Sequence, residues 1–307
     1  MGALNVNAAV GAAAGARATW RDTLSAYVSL TKPRIISLLL ITTIPAMILA
    51  DGGMPSLWLI AATVIGGTLA AGGANAINCY IDRDIDAIMA RTQSRPLPLG
   101  RVEPQHALVF ALALEAVAFA ILAITSNLLA AFLALGAAAF YVFVYTIWLK
   151  RTSRQNIVIG GAAGAVPPLV GWAAVTGDLG APALVLFAVV FVWTPPHFWS
   201  LSIRYRDDYA RARVPMLPVV ATLDETKTQI FWYAAALIPV SVSLWLTGAV
   251  GWIYLAAALV LGIGFALQAW RLRADEAPRA AMGVFKYSIY YLALLFVAVA
   301  ADTLILG

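Results

Sequence analysis

Charge is scarce in this chain. Only 11% of its 307 residues are Asp, Glu, Lys or Arg, against roughly 25% in an ordinary soluble domain. Histidine occurs twice and cysteine once, at Cys79. A single cysteine excludes an intramolecular disulfide, and no Cys/His cluster is available to build a zinc site. Acids number 15 against 20 bases, leaving a net charge of +5. What is abundant is apolar: 62% of residues are hydrophobic, and mean hydropathy is +0.86. A water-soluble domain of this size cannot enclose so much apolar surface. A soluble enzyme, a disulfide-built secreted domain and a disordered chain are therefore excluded.

Windows of about 20 residues, the length that crosses a bilayer core, mark nine apolar segments. They fall near 35–50, 56–80, 105–125, 128–148, 156–176, 183–203, 229–247, 251–270 and 286–306. The connections alternate in charge. With nine spans and the N-terminus inside, all 20 Lys and Arg residues fall on the cytoplasmic side, as the positive-inside rule requires. The expected fold is an all-α membrane protein. Its nine transmembrane helices form one bundle, N-terminus cytoplasmic and C-terminus outside. Residues 1–33, rich in Ala and Gly, are expected to be a flexible cytoplasmic arm without a cleaved signal, and residues 34–307 the nine-helix domain. The basic residues then meet lipid headgroups in a bacterial inner membrane, not nucleic acid.

The acids lie unevenly. Asp51, Asp178 and Asp302 are expected in outer connections, and Glu115 lies inside the third segment; the rest fall on the cytoplasmic side. One group reads Asn78-Cys-Tyr-Ile-Asp82-Arg-Asp84-Ile-Asp86. On a helix, Asn78, Asp82 and Asp86 form one oxygen-bearing stripe, while Asp84 points elsewhere. Such a stripe suits Mg²⁺, which takes oxygen ligands and bridges to substrate phosphates. Arg91 and Arg95 follow, and the arginine fork pairs with phosphate oxygens. Alone, the run reads equally as solvated juxtamembrane charges. A second group, Tyr205-Arg-Asp207-Asp208-Tyr209-Ala-Arg211, ends a segment running in the same direction. Two acidic groups on one face favour a diphosphate site at the membrane rim.

These residues carry a resemblance. Asn78-xxx-Asp82-xxx-Asp86 resembles the first aspartate motif of the intramembrane aromatic prenyltransferase superfamily. Within it, the chain is similar to the branch that farnesylates heme, over about residues 30–290. The stretches are Thr31-Lys-Pro-Arg34, Asn75 to Asp86, Arg91 to Leu97, Tyr145 to Thr152, Asn156 to Gly161, Trp193-Thr-Pro-Pro-His-Phe-Trp199, Tyr205 to Tyr209 and Pro215 to Val219. The superfamily usually spaces the aspartates of its second motif four apart; here Asp207 and Asp208 are adjacent and Arg211 follows. The resemblance implies farnesyl transfer from farnesyl diphosphate to a vinyl group of heme b, with water added, giving heme O. It implies Asn78, Asp82, Asp86, Asp207 and Asp208 as catalytic residues, with Mg²⁺ held by Asn78, Asp82, Asp86 and Asp208. Arg91, Arg95, Lys150, Arg151 and Arg211 would grip the diphosphate. His197, Tyr145, Asn156 and Tyr205 would border the heme or substrate pocket. Candidate partners are heme A synthase and the terminal oxidase assembly.

Each residue also has a plainer reading. His197 follows Pro195-Pro196, so it either ligates or orients heme iron or bonds a carbonyl freed by the prolines. Glu115 is either catalytic or packed against a donor. Tyr145 also suits the aromatic belt of a membrane protein. Pro167-Pro168 and Gly160-Gly161 are expected to permit a kink and close packing. The rival functions are prenylation of an aromatic or quinone precursor, secondary transport and a heme-binding scaffold. Transport is disfavoured because transporters place their charges near the bilayer midplane.

Overall fold

The computed structural model describes residues 19–274 and 278–306. Nine helices among them are long and apolar enough to cross a membrane, and no strand occurs among the described residues. The order is α1 (Trp20–Leu30), α2 (Pro33–Asp51), α3 (Leu57–Ile81), α4 (Arg83–Ile88) and α5 (Pro104–Thr125). There follow α6 (Leu128–Thr152), α7 (Asn156–Thr176) and α8 (Ala181–Arg204). The chain ends with α9 (Arg206–Arg211), α10 (Leu217–Val220), α11 (Leu223–Leu246), α12 (Trp252–Ala274) and α13 (Pro278–Leu306). The spanning helices are α2, α3, α5 to α8 and α11 to α13, as the apolar windows predict. Two helices begin earlier than hydropathy indicates. α11 starts at Leu223 because Thr222 caps it and its first turns carry Asp224 and Glu225; a polar turn is helical without being apolar.

The spanning helices are uniformly apolar, as a bilayer demands. Their large outward residues, such as Val109, Phe132, Phe143 and Trp232, are exposed on the protein. Small residues close the contacts between helices. A Cβ at Gly160 of α7 would lie 2.3 Å from the Tyr145 ring of α6, so only glycine lets that ring lie flat against α7. α7 breaks between Ala165 and Pro167, as Pro167-Pro168 predicts. α8 instead continues through Pro195 and Pro196.

Three features depart from expectation. Residues 1–18 lie outside the described residues, but Trp20–Leu30, inside the stretch read as an arm, forms a helix with a Thr19–Asp22 capping box. Asp302 is not in an outer connection. It lies within α13, 2% exposed, and its carboxylate accepts from the backbone N–H of Gly251 and, at 3.0 Å, of Tyr254. It thus caps the start of α12 from a neighbouring helix. Finally, Phe140–Leu149 of α6 winds as a π-helix, which apolar periodicity alone does not reveal.

Candidate active site

A cavity of about 330 Å³ runs between α2, α3, α6 and α7, with residues of α8 and α9 on its border. Its wall on α3 extends from Asn78 through Asn75, Ala74, Ala71, Ala70 and Gly67 to Thr63, a depth of about 22 Å at the helical rise. α6 and α7 contribute Ala134, Ala137, Ala138, Gly161, Ala163 and Gly164. One end is polar, lined by Lys32, Asn78, Asp86, Arg91, Arg95, Lys150 and Tyr209; the rest is a slot with small apolar walls.

The aspartate stripe forms as its spacing predicts. Asp82 sits where α3 gives way to α4, yet the i to i−4 backbone bonds continue, Asp82 to Asn78 at 2.9 Å and Asp86 to Asp82 at 2.8 Å. Asn78, Asp82 and Asp86 are 3%, 0% and 2% exposed. Unpaired carboxylates at such depth would be strongly penalised, and each has a cation. The ammonium of Lys150 donates to Asp82 Oδ2, which also accepts from Asn78 Nδ2 at 2.7 Å. Arg151 Nη2 lies 3.6 Å from Asp82 Oδ1, and that oxygen has no hydrogen-bond partner among the described residues. Arg95 Nη1 donates to Asp86 Oδ2 at 2.6 Å. Asp84 points away, as the helical wheel requires. It is largely exposed and takes both ends of the Arg151 fork at 2.8 Å, which hold its carboxyl down at about 2.

Lys32 was not singled out from sequence. Its Nζ donates to Asn78 Oδ1 at 2.7 Å, and burial pushes its ammonium down to about 8. Pro33 disfavours the helical region for the preceding residue, and Lys32 instead takes the left-handed conformation at φ 55°. That strained turn carries the chain from α1 into α2 and aims the lysine at the stripe. Its signals in the sequence were a lysine placed directly before a proline and the Thr31-Lys-Pro-Arg34 stretch of the resemblance, to which no role was attached. The π-helix acts in the same way on α6. Its wider turn, with i to i+5 hydrogen bonds, brings Tyr145 and Lys150 closer to one face than an α-helix would, and both border the cavity together with Tyr141. Tyr141 and Tyr145 stack at 5.4 Å, while Thr146 accepts from Asn78 Nδ2 at 3.1 Å.

The second acidic run meets the first, though not as a third carboxylate. Arg91 Nη2 donates to Tyr209 Oη at 3.3 Å, and its guanidinium lies 5.2 Å from the Tyr205 ring centroid. Asp207 is exposed. Asp208, 8% exposed, is paired with Arg211 one turn on. No group of three His, Cys, Asp or Glu side chains able to hold a metal occurs among the described residues, so Asp208 is not gathered with Asp82 and Asp86. Of the four expected ligands, Asn78, Asp82 and Asp86 lie buried along the stripe, and Asp208 is held by Arg211. Arg91, Arg95 and Lys150 border the cavity; Arg151 and Arg211 serve Asp84 and Asp208.

The other candidates lie around this core. Tyr145 borders the cavity. Asn156 is fully buried at the start of α7, and neither of its amide atoms has a partner among the described residues. His197 does not border the cavity, although its neighbours Thr194 and Phe198 do. It stacks on Trp193 at 4.2 Å, and its Nδ1 lies 2.7 Å from Ser288 Oγ of α13. Ser288 gives its one hydroxyl hydrogen to the Phe285 carbonyl at 2.6 Å. With that hydrogen so placed, Nδ1 of His197 is the donor to Ser288, and a neutral ring would then keep Nε2 as its acceptor. No hydrogen bond from a Ser, Thr or Trp side chain reaches Glu115 among the described residues. Its carboxyl abuts Gly73 of α3, and Oε1 has no partner among the described residues.

An apolar slot with paired acids and bases at one end is the layout of an intramembrane prenyltransferase. The chain belongs to the UbiA prenyltransferase family, whose model matches residues 39–299. It is 55% identical over 284 residues to a protein of Gloeobacter violaceus named protoheme IX farnesyltransferase, covering 92% of this chain and 93% of that one. A protein of the same name from Chloroflexus aurantiacus is 51% identical over 96% of this chain, which spans 51% of that longer protein. The fold matches a solved structure of digeranylgeranylglyceryl phosphate synthase with TM-score 0.76 at 18% identity, covering 92% of this chain and 99% of that one. A UbiA homolog from Archaeoglobus fulgidus bound to DMAPP and Mg²⁺ matches with TM-score 0.65 at 16% identity, over 90% and 99% of the two chains. The chain is a multi-pass membrane enzyme, a prenyltransferase.

Proposed function

We propose that this chain transfers the farnesyl group of farnesyl diphosphate to a vinyl group of heme b, with addition of water, to give heme O. We place it in a bacterial inner membrane, N-terminus and polar cavity end cytoplasmic, C-terminus outside, with residues 34–307 as one prenyltransferase domain. The observation that carries this reading is the cavity itself, cations and carboxylates at one end and a small-walled apolar slot below. Relatives at 51–55% identity named protoheme IX farnesyltransferase supply the acceptor.

The donor set fits Mg²⁺. Asp82 offers a buried oxygen without a hydrogen bond, Asp86 follows one turn on, and Asn78 adds an amide oxygen; Mg²⁺ favours such hard donors beside a phosphate. Held there, Mg²⁺ would supply positive charge against the pyrophosphate leaving group. The protein's own cations act on the same group. Lys32, Arg91, Arg95 and Lys150 draw the diphosphate oxygens to the polar end and stabilise the charge that builds as the allylic C–O bond breaks. The bonding electron pair leaves with diphosphate, and the slot holds the cationic chain away from water that would intercept it. The heme vinyl carbon attacks the allylic carbon. Water then adds to the carbocation beside the pyrrole ring and releases a proton. With Nδ1 of His197 engaged by Ser288, Nε2 of the neutral ring would be the atom able to ligate heme iron.

The test is reconstitution of the purified chain in nanodiscs with farnesyl diphosphate, heme b and Mg²⁺, followed by mass spectrometry of the hemes. A farnesylhydroxyethyl adduct that disappears in Asp82→Asn is the expected result. Unaltered heme b alongside prenylation of a quinone precursor would reassign the acceptor.

A further inference from the structure

We propose that α1 is an in-plane membrane anchor, lying in the interface of the leaflet at the polar end of the cavity and tethering Lys32. The helix divides into three sectors at 100° per residue. Ala26, Leu30 and the half-buried Tyr27 face the bundle: Ala26 and Leu30 join Ala76, Cys79, Ala107 and Ala111 in one core, and Tyr27 meets the Phe110 ring of α5 edge-on at 5.0 Å. Trp20, Leu24 and Val28 fall on the adjoining sector and are 70%, 55% and 48% exposed. Arg21, Ser25, Ser29 and Asp22 occupy the remaining arc, all exposed; Thr23 is exposed at the helix's free end.

A helix on the surface of a soluble protein needs two sectors, core and solvent. A third, apolar and outward, is the pattern of a helix that meets protein, acyl chains and water at once. The occupant we assign to it is lipid, and two observations support that choice. Where Tyr27 meets Phe110 of α5, the next residue, Val109, is a large exposed apolar side chain, as is Ile35 near the start of α2. The guanidinium of Arg21 lies 5.4 Å from the Trp20 ring centroid, so a cation sits beside an aromatic ring at the polar–apolar boundary, a combination suited to anionic headgroups.

The anchor is joined to the cavity. The carbonyl of Thr31, which closes α1, accepts from Asn75 Nδ2 at 3.1 Å, and the next residue places its ammonium on Asn78. Lipid contact along α1 therefore fixes the turn that presents Lys32.

Nitroxide scanning tests this with the full chain in phosphatidylcholine–phosphatidylglycerol nanodiscs. Labels are placed one at a time at Trp20→Cys, Leu24→Cys, Val28→Cys, Ser25→Cys and Ser29→Cys, all surface positions, while native Cys79 stays buried. The expected result is an oxygen-to-nickel accessibility ratio several-fold higher at 20, 24 and 28 than at 25 and 29. Equal exposure of both sets to the aqueous nickel reagent would overturn the proposal, because the stripe would then lie in water. Shielding of 20, 24 and 28 from both reagents would also overturn it, since a protein surface would then cover the stripe. A Leu24→Ser, Val28→Ser variant supplies a second readout. Weaker retention of inorganic pyrophosphate in nanodiscs, equalling the loss in Lys32→Met, supports the tether; unchanged retention refutes it.

Discussion

The pairing of Asp82 with Lys150 makes the first prediction quantitative. Asp82 is fully buried, and the Lys150 side chain is 13% exposed. Replacing Lys150 with Met keeps the volume and removes the charge. Breaking a buried pair from one side costs about 3–5 kcal/mol. Arg151 at 3.6 Å from the other oxygen remains, and a unit charge at that range still offers about 4 kcal/mol of attraction at an effective dielectric near 20. The loss should therefore fall at the low end, about 3 kcal/mol, or a drop of roughly 5 °C or more in unfolding midpoint without ligands. Adding Asp82→Asn to the same chain should recover most of it, because the stranded carboxylate is then neutral.

The same substitution separates binding from catalysis. The ammonium occupies one Asp82 oxygen and repels any second cation, so Lys150→Met should bind Mg²⁺ about tenfold more tightly or better when no diphosphate is present, even a modest part of that repulsion sufficing. Magnesium should also raise its unfolding midpoint more than it raises the wild type's. Turnover should nevertheless fall by about 10²- to 10³-fold, the usual effect of losing one donor to a developing anion. Thermal unfolding and calorimetric Mg²⁺ titration in nanodiscs, beside mass-spectrometric turnover, give all three readings. An unchanged midpoint together with weaker Mg²⁺ binding would refute the reasoning, since Lys150 would then be neither counter-charge nor competitor.

Four further outcomes follow from the same geometry. Asp84→Asn should change turnover by less than about threefold, because its pair with Arg151 is largely exposed and such pairs contribute little; the heme assay checks it. Gly67→Val should lower kcat/KM for the C15 diphosphate far more than for the C10 one. Gly67 lies about 16 Å below Asn78 along α3, near the end of three isoprene units at roughly 5 Å each, and a Cβ there meets nothing within 4 Å. His197→Ala should abolish the imidazole-ligated heme spectrum, and Ser288→Ala should weaken it through loss of the Nδ1 partner; an unchanged Soret band in both would remove His197 from the iron. Asp302→Ala should destabilise the fold by about 2–3 kcal/mol, since two N–H groups of α12 lose a charged acceptor, while kcat in folded protein stays unchanged.

The spans were legible because the bilayer enforces one simple rule, an apolar stretch long enough to cross, and nothing local competes with it. The aspartate stripe was legible for a related reason: the i to i−4 backbone bonds run on across the α3–α4 junction at Asp82, so helical spacing places Asn78, Asp82 and Asp86 along one face. What spacing could not reveal is anything depending on a change of helical repeat or on contact between distant helices. Lys150 and Tyr145 share a wall only because α6 turns π-helical. Lys32 reaches Asn78 only because a left-handed turn before Pro33 redirects it. Asp208 reads as a metal ligand in sequence, and spacing could not show that its carboxylate pairs with Arg211 one turn on. Asp302 looked solvated, and the start of α12 claims it instead.

These pairings share one physical cause. A diphosphate site must collect cations, a metal site must collect acids, and a low-dielectric bundle tolerates neither alone. The chain meets both demands by storing each charge against its opposite: Lys150 on Asp82, Arg95 on Asp86, Arg151 on Asp84 and Arg211 on Asp208. Of these, the first two border the cavity through Lys150, Arg95 and Asp86, and they are the ones that substrate can exchange. Diphosphate that drew Lys150 and Arg95 toward itself would uncover the Asp82 and Asp86 oxygens, and a cation held by those oxygens would release the two bases. Each ligand would thereby prepare the place of the other, and linkage makes the effect equal in both directions. The two pairs that do not border the cavity would lack that exchange. Under this proposal, position relative to the slot, more than the identity of the residues, would separate the charges that substrate exchanges from those it does not.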